Sequence, residues 1–478
     1  ARIWSPCARA RATDESKPFA CWRKSLTPLR RVHGVSVPSA ATASARIPCA
    51  AHPLDGLAGE FGRTALLAGV QGTGMRGLAR LLLQAGWTVY GADRSPLLAS
   101  DVLVESGLRP WPMRAPPAVS WAVRSVAVPR ADPEFAHACT AGARGATYPE
   151  MLGLISRLRP VLAVAGSHGK STTTAWIAFG LRRAGRSVGF VVGAPCAQLG
   201  GSADWGEAAE PLVLESCEYA RSFHHLAPWS VALTNVDAEH PDTYPGGLPE
   251  VSASFAHFLG NCAMEGTVYA GPEAPDLSAA TRTRWVPSQP LPADWVVGLA
   301  GAHNRRNAAL VASVLRGFGL EEEAVRAALA EYRGCARRLE EVGLHRGALV
   351  VSDYAHHPVE VAATLQAARE RWPGRRLFAV FQPHQAQRFH AYREQFAPAL
   401  DEADRLILLE IYRARDPEEL RASVAELVPE LVRRRARPLA VVQEMASARS
   451  ALDAWLDPGD VVLCLGAGDV DAFARELC

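Results

Sequence analysis

The stretch "VAGSHGKSTTTAWIA", residues 164–178, decides the reading of this chain. It contains Lys170. Lysine is rare here: the chain has 51 basic residues, and only Lys17, Lys24 and Lys170 are lysines. From residue 25 onward Lys170 stands alone among arginines. A phosphate-binding loop explains the choice. Gly166 and Gly169 let backbone N–H groups approach phosphate oxygens, and the loop opens a helix whose N-terminus favours anions. An ammonium on a flexible stem reaches the outer phosphates, whereas a planar guanidinium does not fill the same slot. Ser171 follows, with a hydroxyl suited to Mg²⁺. The flanks agree: "RPVLAVAG" (159–166) is a short apolar run of strand character. "STTTAWIAFGLRRAG" (171–185) has helical spacing and ends at a glycine. Val164 stands where the usual pattern has its first glycine, so the strand–loop–helix setting carries the reading. The plain alternative is a strand-to-helix turn with an exposed lysine.

Working outward, the chain alternates strands and helices from residue 64. "TALLAGVQGTGMRGLARLLLQAGWTVYGADRS" (64–95) reads as strand, glycine turn, helix and strand. Gly69, Gly72 and Gly74 open the helix, and Asp93 follows about twenty residues later. That is the layout of a Rossmann-type nucleotide site, with Gln71 interrupting the usual glycine pair. By itself it would also suit a dinucleotide cofactor, or a turn that needs glycine only for its backbone. A further strand and turn is expected at 124–134, a helix at 148–160, and one long helical stretch over 303–332 that closes the central unit. A last α/β unit runs from "ALVVSDYAHHP" through "RRLFAVFQPH" and "DRLILLEIY" to "DVVLCLGAGDV". The expected fold class is α/β with three doubly wound domains, and 478 residues suit about three.

The net charge of +2 gives no reason to expect nucleic acid or an acidic membrane surface as a partner. No apolar run reaches the roughly 18 residues that a membrane span needs. The ten cysteines are scattered without a CxxC, which fits neither a disulfide framework nor a cysteine zinc site and suits a reducing cytoplasm. The first 50 residues carry nine Lys or Arg against two acids, which leaves about −5 for the rest. Their composition resembles a transit peptide or disordered tail, or an upstream start wrongly assigned. Residues 1–60 are therefore set aside as an extension. The expected domains are 61–158, 159–333 and 334–478.

Acids and a histidine gather at strand ends. "LVLESCEYARSF" presents Glu215 and Glu218, and "VALTNVDAEHPDTY" presents Asn235, Asp237, Glu239 and His240. Beside a phosphate loop these are candidate Mg²⁺ ligands, since magnesium prefers hard oxygen donors. "SDYAHHPVEV" places Asp353, Tyr354, His356 and His357 at the C-terminus of a strand, where α/β sheets collect ligands. The adjacent histidines are not expected to chelate one metal together, because strand neighbours point to opposite sides.

In order, "GSHGKSTTT", "ESCEYARSF", "TNVDAEHPDTY", "GAHNRRNAA", "GCARRLE", "SDYAHHPVEVAATL" and "FQPHQAQRF" resemble the motifs of the Mur ligase family, in detail its L-alanine-adding branch. "GVQGTGMRGLA" (69–79) resembles the family's UDP-binding turn, and the likeness spans 64–478. It implies a Rossmann-like UDP-binding domain, a central ATPase domain and a C-terminal ligase domain that closes over the site. The implied reaction is ATP-dependent ligation of L-alanine to the lactyl carboxylate of UDP-N-acetylmuramate through an acyl phosphate. The alternative is the recycling ligase that attaches a preformed tripeptide to the same sugar nucleotide.

Position by position, the resemblance implies that Gly166, Ser167, His168, Gly169, Lys170, Ser171 and Thr172 hold the ATP phosphates. Ser171, Glu218 and His240 would form the Mg²⁺ shell, with Glu215 a further member. Asn304 and Arg338 would contact the nucleotide, and Asp353 its ribose. Tyr354, His356 and Arg388 would line the amino-acid site, and Gly69, Gly72, Gly74 and Asp93 would meet the uridine diphosphate. Lys170, Glu218, His240, His356 and Arg388 are the expected catalytic set. A monomer or homodimer in the cytoplasm is expected. Several later-acting relatives use a carbamylated lysine downstream of the histidine matching His240, and this chain has no lysine there. Three positions depart from the family pattern: Gln71 replaces a glycine, Glu239-His240-Pro241 replaces Asp-His-Leu, and Gln385 replaces an arginine.

Overall fold

The computed structural model describes residues 52–112, 114–414, 416, 419–435 and 437–478. The extension assigned to 1–60 lies outside the described residues as far as 51. Its last part belongs to the fold. Pro53–Leu57 is a 3-10 turn capped by His52, and Leu54 and Leu57 are buried in the first core. The Trp121 indole donates to the Leu57 carbonyl at 2.8 Å. Two apolar residues in so short a segment give no periodicity to read.

Three sheets organise the rest. The first is parallel, in the order Arg109–Pro110, Thr88–Ala92, Thr64–Ala68, Trp121–Arg124, Arg144–Thr147. The strand expected over 124–134 lies slightly earlier, ending at Arg124; its apolar run sits between Thr64–Ala68 and Arg144–Thr147. The second sheet has seven strands with Val161–Ala165 at its middle, and only Gly201–Asp204 runs antiparallel to its neighbour. The third has six strands, antiparallel only at its Glu340–His345 edge. Strands such as Val161–Ala165 and Val461–Leu465 are buried at every residue. Parallel strands covered on both faces become unbroken apolar runs, which is how they read in the sequence.

The long helical stretch expected over 303–332 is two helices, Ala302–Gly317 and Glu322–Glu331. Gly319, with φ +82°, turns the chain between them. One core runs continuously from the first sheet onto a face of the second, so the N-terminal unit docks there. At that seam a Cβ on Gly77 would sit 3.4 Å from Val191 and 3.5 Å from Ala203. The third sheet has a core on each face. It meets the second where Gly301 N donates to Glu370 at 3.0 Å. Among the described residues no helix is long and apolar enough to cross a membrane.

Candidate active site

Three adjacent parallel strands build the centre. Val161–Ala165 lies between Leu212–Glu215 and Ser230–Asn235. Their C-terminal ends therefore deliver the loop 166–169, the Glu215–Glu218 segment and the Asn235–His240 loop to one edge. Gly166 has φ +144°, and a Cβ there would run into Thr234 Oγ1. Gly169 caps the helix Lys170–Arg183 in the left-handed region at φ +78°, where a Cβ would meet Asn307 Oδ1 at 2.8 Å. Both positions need glycine for conformation and for space.

Lys170 folds back into its own loop. Its Nζ donates to Gly166 O at 2.6 Å and Ser167 O at 2.9 Å, and lies 2.8 Å from Glu218 Oε2. Glu218 is 1% exposed. Burial alone would raise its pKa, but the Lys170 charge outweighs that and holds it below the usual carboxylate range. His240 Nε2 lies 3.5 Å from Glu218 Oε1, and His240 Nδ1 lies 3.5 Å from an Arg388 nitrogen. So Lys170, Glu218, His240 and Arg388 form an unbroken line from the phosphate loop into the third sheet's unit. The Ser171 hydroxyl turns to another acid: its Oγ donates to Glu215 Oε1 at 2.9 Å, and Glu215 also accepts from Gly193 N at 2.5 Å. The donor set is hard and suits Mg²⁺. Both Glu218 oxygens face the Lys170 ammonium, Oε2 at 2.8 Å and Oε1 at 3.1 Å, so a magnesium ion would take this carboxylate only as Lys170 turns away.

A cavity of about 330 Å³ opens beside the loop. Its lining includes His168, Gly169, Thr172, Asn304, Arg338 and Asp353. These expected nucleotide residues come from four of the motifs, two in the central unit and two in the C-terminal one. Asp353 accepts from Leu339 N at 2.7 Å and Ala355 N at 2.8 Å, and burial raises its pKa. Asn304 donates to Ala300 O at 2.7 Å.

A second cavity, about 300 Å³, lies between the first and second sheets and is lined by Gly72, Gly74, Tyr148, Glu215 and Ser222 among others. Gly74 packs against the Tyr148 ring, where a Cβ would lie at 2.9 Å. Gly69 and Asp93 do not line this cavity. Gly69, at φ +80°, fits against Ser125 and Val128, and Asp93 accepts from Gln71 N at 2.9 Å. Gln71 also donates to Ser95 O at 2.8 Å, so its amide ties the turn to the loop after the second strand, a bond glycine cannot make.

The amino-acid corner gathers Tyr354, His356 and Arg388. His356 Nδ1 contacts Tyr354 O at 2.8 Å, and burial together with the Arg388 charge lowers its pKa to about 4. With Nδ1 as donor to that carbonyl, Nε2 keeps its lone pair. Arg388 contacts His384 Nδ1 at 3.2 Å, Gln385 Oε1 at 3.1 Å and Glu239 Oε2 at 3.2 Å. Gln385 thus supports Arg388 from within its own helix cap. Strain concentrates nearby: His240, Arg337, Leu339 and Gln385 all hold φ between +50° and +69°.

Sequence reasoning missed Glu360 and Asn307 here, and it named Glu239 and His357 without their partners. Glu360 lies 3.3 Å from His168 and 3.4 Å from His356, and outweighing its own burial these partners keep it ionised. Asn307 packs on Gly169. Glu239 pairs with Arg388, and His357 is 2% exposed beside His168. Glu360 stands four residues after His356, a helical spacing that was the available signal; Asn307 gave none.

A model described as "Mur ligase family, catalytic domain" matches residues 67–159, and one described as "Mur ligase, glutamate ligase domain" matches 337–468. The phosphate loop lies between them. A curated UDP-N-acetylmuramate–L-alanine ligase of Chloroflexus aggregans is 34% identical over 85% of this chain and 96% of its own length. One of Roseiflexus castenholzii is 35% identical over 84% and 94%. Among solved structures, a UDP-N-acetylmuramate–alanine ligase of Thermotoga maritima superimposes with a TM-score of 0.71 at 22% identity, covering 87% of this chain and 98% of that one. A murein peptide ligase of Psychrobacter arcticus gives 0.64 at 22% identity over 87% and 98%. With a strand-ordered phosphate loop, a buried glutamate beside a half-buried histidine and relatives matched almost end to end, this chain belongs to the Mur ligase family.

Proposed function

We propose that the protein uses ATP to join L-alanine to the lactyl carboxylate of UDP-N-acetylmuramate, a step of peptidoglycan precursor synthesis in the cytoplasm. The observation that carries this reading is the line Lys170–Glu218–His240–Arg388. It links a phosphate loop to a buried arginine fork of the kind that holds a carboxylate. The domains are assigned as 61–158 for the sugar nucleotide, 159–333 for ATP and 334–478 for the amino acid, with 53–60 joined to the first.

The roles follow from placement. ATP would enter the 330 Å³ cavity, with Asp353 on its ribose and Asn304 and Arg338 on its base and phosphate side. Lys170 would leave Glu218 partly free and turn its ammonium to the outer phosphates. Ser171, Glu218 and His240 would hold Mg²⁺, which neutralises charge developing on the transferred phosphoryl group. Gly72 and Gly74 would admit the sugar nucleotide to the 300 Å³ cleft, which abuts Glu215. The lactyl carboxylate takes the γ-phosphoryl group and ADP leaves; the amine of alanine then attacks the acyl carbon, and the tetrahedral adduct breaks its C–O bond to expel phosphate, which can carry the amine's proton. His356, neutral near pH 7, would accept a hydrogen bond from that amine at Nε2, and Arg388 would hold the alanine carboxylate. Most of the rate comes from alignment and charge stabilisation.

The test is phosphate release from ATP with UDP-N-acetylmuramate and, in parallel, L-alanine, glycine, L-serine, L-glutamate or the recycling tripeptide. Release that needs both substrates and is strongest with L-alanine supports the proposal. Release with the tripeptide alone overturns it in favour of recycling.

A further inference from the structure

His168, Asp237 and His357 stand apart from the proposed magnesium ligands, yet each offers a ligand atom within 4.8 Å of the others. They come from three places: the phosphate loop, the loop after Ser230–Asn235, and the cap of the helix Pro358–Arg371. His168 Nε2 and Asp237 Oδ2 are 3.3 Å apart. Two donors on a tetrahedral zinc ion, each about 2.0–2.1 Å from it, stand about 3.4 Å apart. His357 supplies the independent sign of a ligand. It is 2% exposed, and neither ring nitrogen makes a hydrogen bond of ordinary length, although its side chain faces the Glu360 amide in the cap of its own helix. A buried imidazole with both nitrogens idle forfeits hydrogen bonds that water would give. An ion reaches the cluster from the nucleotide cavity, which His168 and Asp237 line. Glu360, 3.3 Å from His168 Nδ1, would fix that ring as an outer partner fixes a metal-bound imidazole, and the ion replaces the proton that His168 Nε2 otherwise shares with Asp237.

We infer that His168, Asp237 and His357 bind a zinc-class divalent ion, with water in the fourth position. Two imidazoles and one carboxylate favour such an ion over magnesium, which asks for oxygen donors. Because the ligands straddle the central and C-terminal units, the bound ion ties the phosphate loop to the unit that carries Arg388. The site is separate from the magnesium shell and does not depend on the identity of the amino acid.

The experiment titrates Co²⁺ into the full chain without nucleotide, with Mg²⁺ in excess. Expected is one ion per chain with the visible absorption of a tetrahedral site, no near-ultraviolet thiolate band, and displacement by Zn²⁺. His357→Gln and Asp237→Asn should each weaken binding at least tenfold. Asp237 is 40% exposed on its side chain, so its variant tests the site even where His357→Gln fails to fold. A Glu218→Gln variant should bind as the parent does. Absence of the visible band, undiminished binding in Asp237→Asn, a thiolate band, or loss of binding in Glu218→Gln alone would overturn the assignment.

Discussion

Arg388 and Glu239 form an ion pair at 3.2 Å between the unit of the third sheet and that of the second, with side chains 4% and 5% exposed. The charge on Arg388 holds Glu239 ionised although burial opposes it. Removing one partner of so buried a pair strands the other charge. Glu239→Gln should therefore cost about 3–5 kcal/mol of stability, read from its urea midpoint. Arg388→Met in the same chain should restore much of that, because no charge is then left unpaired. A single variant as stable as the parent would show that Arg388 finds compensation elsewhere.

Lys170 uses its ammonium on two loop carbonyls and a glutamate within a space closed by the loop itself. Lys170→Arg keeps the charge and changes the shape. We expect ATP-dependent phosphate release to drop by about 10²-fold or more, the order seen when one charge-stabilising donor is lost. Parent-level turnover in this variant would mean that charge alone, not a slot shaped for ammonium, explains the lysine.

The phosphate loop, the Glu218 segment and the histidine of the next loop were legible because each sits at the end of an apolar run, and a parallel sheet puts such ends on one edge. What the chain did not disclose is pairing across units. Nothing near Arg388 in the sequence points to Glu239, and nothing near His168 points to Glu360 or His357, since those contacts depend on how two sheets dock. Asp93 reads as a ligand from its spacing but serves a turn through Gln71, a local contact that spacing alone does not separate from ligand binding. The split of the long helix at Gly319 and the docking of Leu54 were missed for a different reason: one glycine and two leucines are too little pattern.

Gly166 and Gly185 both hold positive φ, at +144° and +81°, but only Gly166 has neighbours within reach of a Cβ. Gly185→Ala should cost about 1 kcal/mol, for strain alone. Gly166→Ala should cost more, because the new methyl meets Thr234 and Asn235 as well, and it should lose binding of an ATP analogue. Melting both variants beside the parent separates the two contributions. Equal losses would mean that the loop shifts freely to make room.

Acid should unfold the seam between the central and C-terminal units. His303 and His356 have pKa values near 4, His303 through burial and the Arg306 charge, His356 through burial and Arg388. In the unfolded chain both return to about 6.5. Below that value the unfolded state takes up protons that the native state refuses. Stability is thus fully present above about pH 6.5 and falls as pH drops toward 4, by at most about 1.4 kcal/mol per pH unit for each histidine. His168 works in the opposite sense. Its pKa is raised to about 10: burial opposes the charge, but the hydrogen bonds to Asp237 and Glu360 prevail, so its contribution is lost as pH rises through 10. Urea midpoints measured from pH 4 to pH 10 should peak near pH 6.5 and fall on each side. His303→Gln should flatten the acid limb without moving the alkaline one. An acid limb as steep in that variant would place the titration on the buried carboxylates instead.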